Sequence, residues 1–210
     1  MWFAFLASRY PSGSLAYERS WIESMRSSKD PTHLVGPRIV EETFRDFSAL
    51  GGYAVVICVI TAFAVYTGLR YGRSNVRFFL ITVLGGFGCS MLLKLAFGRE
   101  RPTTVPHLSF VATTSFPSGH SMMSSIVYLT IGLLLSQRFT DRRLRRLFLS
   151  FPFVLTGLVG CSRVAMGVHY PTDVLAGWTA GLLWTAIAFQ LQNLITGTSA
   201  QPVSSITNGE

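Results

Sequence analysis

Three short stretches of this chain carry polar residues of types that can do chemistry, and each is set between apolar runs. The first, KLAFGRERP, places Lys94 two helical turns before Arg101, so both cations share one face if a helix runs that far, and Pro102 stops it. By itself this stretch also reads as a helix end at which Lys94 snorkels while Arg99 and Arg101 anchor. The second, SFPSGHS, sets Ser118 and Gly119 just ahead of an apolar run that starts near Ser121. A helix starting there offers free backbone N–H groups and a positive dipole end to an anion, and Gly119 lets the anion come close. A plain turn with Ser118 as N-cap fits the same letters. His120 adds a group that gives or takes a proton near neutral pH. The third, SRVAMGVHYPTD, contributes Arg163, His169 and Asp173. Pro171 suits the first turn of a helix, which brings Asp173 close to His169 across that turn. A carboxylate bonded to one imidazole nitrogen fixes the tautomer and leaves the other nitrogen oriented as nucleophile or base. A capping Asp beside an incidental His is the alternative.

Taken together the bland readings need three coincidences. The cations Lys94, Arg101 and Arg163, with amide donors at Ser118 and Gly119, match the equatorial oxygens of a transferring phosphoryl group. The histidines His120 and His169 supply a leaving-group acid and an in-line nucleophile.

The elements that must position these residues are membrane spans. Only 13% of the 210 residues are Asp, Glu, Lys or Arg, against roughly 25% in a typical soluble domain, too few to coat a globule, and the mean hydropathy is +0.41. Five stretches reach the length of about 20 residues, with tolerance, that crosses a bilayer. They run approximately over Leu50 to Leu69, Phe78 to Phe97, Ser121 to Gln137, Leu147 to Cys161 and Val174 to Ile195, the third and fourth being short. The expected fold class is thus an all-α, polytopic transmembrane bundle of about five spans. Gly85, Gly86, Gly88 and Ser90 in the second span are read as small residues that let helix backbones approach, and Cys58, Cys89 and Cys161 as buried packing residues in no metal or redox spacing. Residues 38 to 50, RIVEETFRDFSAL, repeat apolar residues at helical spacing and predict an amphipathic interfacial helix with its charges on the far face. The opening MWFAFLAS is neither a signal peptide nor an anchor by itself. The organisation expected is a flank over 1–49, a membrane domain over 50–195 and a polar, disordered tail over 196–210, with no internal repeat.

Orientation follows the basic loops. Arg70, Arg73 and Arg77 follow the first span, and Arg138, Arg142, Arg143, Arg145 and Arg146 the third, so both loops are expected on the cytoplasmic side. The other two loops, which hold all the chemistry, then face outward. This placement also excludes nucleic acid as the partner of the +8 formal charge, since the basic clusters sit between spans.

The blocks KLAFGRERP, PSGH and SRVAMGVHYPTD, in that order, closely resemble the signature of the type-2 phosphatidic acid phosphatase superfamily, which also contains the vanadium haloperoxidases. The resemblance covers about residues 50 to 195. It implies that His169 attacks phosphorus to form a phosphohistidine with Asp173 orienting it, and that His120 protonates the leaving oxygen. It further implies that Lys94, Arg101, Ser118, Gly119 and Arg163 hold the phosphate, with no metal or other cofactor. Membrane members look like six-span bundles, whereas this chain offers five spans and a short apolar start. His107 matches no block and is read as a bystander.

The function expected is hydrolysis of a phosphate or diphosphate on a membrane lipid, which is the partner implied together with the bilayer. Phosphatidic acid, phosphatidylglycerol phosphate and undecaprenyl diphosphate are the candidates; the compact outer loops resemble those of bacterial members and favour the last. The setting expected is a bacterial inner membrane with the site facing outward. Two alternatives stand beside it: a vanadium-dependent haloperoxidase, and a non-catalytic transporter or binding protein for lipid phosphates.

Overall fold

A computed structural model describes residues 16–111 and 113–196. The apolar start and the polar tail lie outside the described residues. Among the described residues seven helices follow in order: α1 Ala16–Ser24, α2 Arg38–Ala49, α3 Tyr53–Tyr71, α4 Arg73–Phe97, α5 Gly119–Ser136, α6 Arg142–Ala165 and α7 Pro171–Thr196. There are no strands among the described residues, and α3 to α7 are each long and apolar enough to span a membrane. The all-helical, five-span bundle is the fold expected.

The span limits differ from the expected ones where the capping chemistry acts. The fourth span is not short: Asp141 caps α6, accepting from the Arg143 amide at 2.7 Å, and the helix starts among the arginines and runs 24 residues. Charged residues end an apolar run without ending a helix, whose limits are set by caps and by residues that cannot continue it. Gly98 does end α4, at φ 53° in the left-handed region, with its amide donating to Lys94 O at 3.2 Å. Lys94 and Arg101 are therefore not on one helical face; the chain leaves the helix between them.

Helix α5 is the hub, with 67% of its central window buried, against 17% to 39% in the other four spans. It packs closely on α7, where a Cβ on Gly177 would come within 2.7 Å of Ser118 O. Around its axis Met122, Ile126 and Val127 join Phe79 and Val83 of α4 and Phe63 of α3 in one apolar core. The outer faces are apolar as well, with Ile57, Leu84, Leu95 and Leu182 all exposed, as surfaces turned to lipid are.

Three packing expectations are corrected. Gly85 and Gly86 make room for the indole of Trp184 rather than for a helix backbone, and nothing stands within 4 Å of a Cβ on Gly88. Cys58 and Cys161 lie exposed on the outer faces, and Cys89 is only half-buried. An apolar residue in a span packs as well against lipid as against protein, so hydropathy does not say which side it faces. Helix α2 departs from the expected split at two positions, burying Glu41 and exposing Ile39 (67%), while Val40, Phe44 and Phe47 are half-buried and Arg38, Arg45 and Asp46 exposed. Glu41 and Ser48 are buried because they have polar partners there, His33 and Arg45 for the first and Arg163 for the second.

Candidate active site

The loop from Gly98 to Ser118, the start of α5 and the turn between α6 and α7 meet at one end of the bundle. Arg138, at the opposite end, donates to Asn75 Oδ1 at 2.9 Å and lies over the Tyr71 ring. His169 stands at the centre of the site end, 2% exposed, in the turn between Ala165 and Pro171. Pro171 opens α7, which places Asp173 in its first turn. The imidazole Nδ1 is 3.5 Å from Asp173 Oδ2 and 3.4 Å from Ser115 Oγ, and that hydroxyl in turn donates to Asp173 Oδ2 at 2.5 Å. Ser115 thus bridges carboxylate and imidazole, and the Tyr170 amide adds a third bond to the same oxygen at 2.9 Å. On the other side of the ring, Arg101 Nη1 lies 3.2 Å from Nε2. A guanidinium has only protons to offer, so Nε2 is the lone-pair nitrogen and Nδ1 carries the hydrogen. Burial first, then the charges of Arg101 and Arg163, push the His169 pKa down to about 3 against the raising pull of Asp173, so the ring is neutral.

The cations converge on this ring. Lys94 Nζ donates to Thr114 O at 2.8 Å, and Arg101 Nη2 reaches the same carbonyl at 3.4 Å. Arg101 also donates to Thr113 O and Val168 O, each at 2.7 Å. Arg163 is 2% exposed in the last turn of α6 and donates to Ser48 Oγ of α2 at 2.5 Å. Gly119 opens α5 against Lys94, whose Cε would lie 3.3 Å from a Cβ there. Ser118 is fully buried, and its amide is committed to Asp173 O at 2.9 Å. It is therefore the first-turn amides of Gly119 and His120 that face forward, ahead of the helix's own hydrogen-bond ladder. His120 lies edge-on to Tyr53, ring centroids 6.4 Å apart. His107 is spent within its loop, on Pro102 O at 2.6 Å.

All eight residues singled out by pattern are thus at one end of the bundle, and four more join them that the pattern missed. Ser115 lies inside the second block, but nothing in its spacing distinguished it from a loop serine. Arg99 is not a surface anchor: it is 2% exposed, donates to Asp173 Oδ1 at 2.6 Å and Thr172 Oγ1 at 2.8 Å, and lies over the Tyr170 ring. Glu18 of α1 accepts from Arg99 Nη2 at 2.9 Å, and Ser48 meets Arg163. Glu18 and Ser48 are far away in sequence, so only the fold could bring them in. Beside the site, a cavity of about 230 Å³ runs between α3, α4 and α5, lined by Val56, Ile60, Leu84 and Phe87 with Lys94 and His120 at its polar end. Among the described residues no three of His, Cys, Asp and Glu are grouped as metal ligands would be.

A neutral, backed imidazole with cations around it at one end of a helical membrane bundle has the chemistry that phosphoryl transfer calls for. The comparisons agree: residues 74–196 match the PAP2 superfamily, and the chain belongs to it. Relatives include phosphatidylglycerophosphatase B of Bacillus subtilis, 40% identical over 94 residues, a match spanning 44% of this chain and 45% of that one. The chain is 28% identical to the undecaprenyl-diphosphatase BcrC of the same organism, covering 70% of this chain and 71% of the relative. It is 30% identical to the lipid A 1-phosphatase of Rhizobium etli, over 73% of each. The crystal structure of a transmembrane PAP2-type phosphatidylglycerolphosphate phosphatase from Bacillus subtilis superposes with a TM-score of 0.78 at 26% identity, covering 92% of this chain and 94% of that one. The chain spans a little less than half the length of the first of these relatives, and all the curated ones are named as phosphatases of lipid substrates.

Proposed function

We propose that this protein hydrolyses a phosphate monoester or diphosphate on a membrane lipid through a phosphohistidine, without a metal. The observation that carries the reading is the polarity of His169: Nδ1 is backed by Ser115 and Asp173, while Nε2 turns its lone pair towards Arg101, which gives it up to phosphorus when a phosphate takes the guanidinium. On this reading Nε2 attacks phosphorus in line, and the leaving oxygen takes a proton from His120. Water, giving a proton to the now neutral His120, then adds to phosphorus and cleaves the P–N bond, returning the lone pair to Nε2, restoring the His120 proton and releasing inorganic phosphate. Lys94, Arg101, Arg163 and the amides of Gly119 and His120 offset the charge on the transferring group, and Ser118 shapes the turn that presents those amides. The cavity between α3 and α5 suits the first segment of an acyl or prenyl chain. With the arginine-rich loops cytoplasmic, the site faces the outer side of the inner membrane.

The candidates for substrate are phosphatidylglycerol phosphate, undecaprenyl diphosphate and phosphatidic acid, the first two being what relatives are named for. Phosphate release from each in detergent micelles, with EDTA present, is the test. Activity on at least one is expected. Cleavage of soluble sugar phosphates with none of the lipids would overturn the lipid assignment, and activity lost to EDTA and restored by a divalent ion would overturn the metal-free one.

A further inference from the structure

Glu18 lies far outside the matched family region, in a nine-residue helix ahead of the spans, yet it is fully buried beside the active site. Among the described residues its carboxylate accepts from Arg99 Nη2 at 2.9 Å, from the Thr172 amide at 3.0 Å and from Thr172 Oγ1 at 2.5 Å. Both donors flank Asp173. Arg99 shares its other nitrogen, Nη1, between Asp173 Oδ1 and Thr172 Oγ1, and the Thr172 amide belongs to the turn of α7 that carries Asp173.

We propose that Glu18 is a positioning residue of the active site, which, by holding Arg99 and the first turn of α7, fixes where Asp173 sits and how much of its charge reaches His169. The inference rests on the phosphatase reading above. A buried carboxylate is costly to desolvate unless it is fully paired, and α1 otherwise buries only Ile22, so the helix is poorly explained as a packing element. The charge count gives Glu18 a reason to be there. Arg99 facing Asp173 alone would neutralise it and leave a dipole behind His169. With Glu18 the trio carries a net charge of −1, and Asp173 Oδ2 remains available to Ser115 and the imidazole. Glu18 touches neither substrate nor the reacting nitrogen, and it acts through Arg99 and Thr172.

The experiment compares Glu18→Gln and Glu18→Asp with wild type, on full-length, monodisperse protein in micelles of the best lipid of the panel. Glu18→Gln keeps the shape and loses the charge; kcat is expected to fall about tenfold or more with KM within about twofold. Glu18→Asp keeps the charge at a shorter reach and should recover most of that loss, to within about threefold of wild type. Glu23→Gln, on the exposed side of the same helix, should leave both constants unchanged. Wild-type kcat in Glu18→Gln, or a rise in KM alone, would overturn the proposal, as would a Glu18→Asp protein no better than Glu18→Gln. Should Glu18→Gln not be recovered as monodisperse protein, Glu18→Asp decides, and wild-type kcat in that variant overturns the proposal. A wild-type protein inactive on every lipid is a different result, which sinks the phosphatase reading itself.

Discussion

Ser115→Ala removes one oxygen from behind the nucleophile and should show whether that oxygen works as its place suggests. The hydroxyl is fully buried, 2.5 Å from Asp173 Oδ2 and 3.4 Å from His169 Nδ1. Deleting it leaves Asp173 Oδ2 the Tyr170 amide at 2.9 Å and the imidazole at 3.5 Å, the last at the outer limit of a hydrogen bond. A hydrogen bond to a charged group is worth roughly 1.5–3 kcal/mol. At about 1.4 kcal/mol per tenfold, that is a loss of about 10- to 150-fold in the chemical step if the whole bond serves the transition state. Little of it should appear in KM, because Ser115 lies on the side of the ring away from Nε2 and the cations. Rapid quench of the phosphoenzyme with labelled substrate isolates the step. A Ser115→Ala protein that forms phosphoenzyme at the wild-type rate, or that loses affinity and keeps its rate, would refute the bridge between Asp173 and His169.

The histidines should separate kinetically: His169→Ala should form no phosphoenzyme with any substrate, whereas His120→Ala should keep more activity on a nitrophenyl phosphate, whose leaving group needs little protonation, than on a lipid. Acid-labile label trapped on His169→Ala but not on His120→Ala would show the roles exchanged. Because the folded pKa of His169 is depressed to about 3 from an ordinary 6.5, its contribution to stability is full above about pH 6.5 and is lost as the pH falls towards 3. The slope is up to about 1.4 kcal/mol per unit, or about 2 kcal/mol by pH 5, so melting in detergent should fall over that range less steeply in His169→Gln than in wild type. Leu84→Trp, at the cavity between α3 and α5, should lower kcat/KM for a long-chain lipid about tenfold while sparing a short soluble ester, and equal losses on both would argue against chain entrance there.

Much of this was legible in the sequence because membrane spans and catalytic loops leave different marks. Low charge density and long apolar runs announced the bundle, and polar residues gathered in two alternate loops announced the site. What stayed hidden had physical causes. The register between Lys94 and Arg101 depended on a left-handed glycine, Gly98, which reads in sequence like any other. The burial of Glu41 and Ser48 in α2 could not follow from amphipathicity, because their partners His33 and Arg163 come from other parts of the chain. Arg99 sat in a quoted block but looked like an anchor, since its partners Glu18 and Thr172 are separated from it by 81 and 73 residues. Long-range pairing of this kind leaves no local periodicity to read.

The partners of Lys94, Arg99, Arg101 and Arg163 show why three of these cations serve substrate on this reading and one does not. Arg99 is bound to two carboxylates, Glu18 and Asp173, and its charge is already spent. Lys94 and Arg101 are held by backbone carbonyls, at Thr114, Thr113 and Val168, and Arg163 by a serine hydroxyl. Neutral acceptors orient a cation without cancelling it, and an anionic oxygen makes a stronger bond to the same donor. A phosphate can therefore compete for Lys94, Arg101 and Arg163 but not for Arg99. With His169 neutral, and before the proton that His120 delivers is counted, the three free charges and the net −1 of Glu18, Arg99 and Asp173 leave +2, the amount a phosphate dianion balances. The network thus keeps the cations apart from the carboxylates: the carboxylates sit behind the nucleophile, where they hold His169, and the cations sit in front of it, where phosphorus would be.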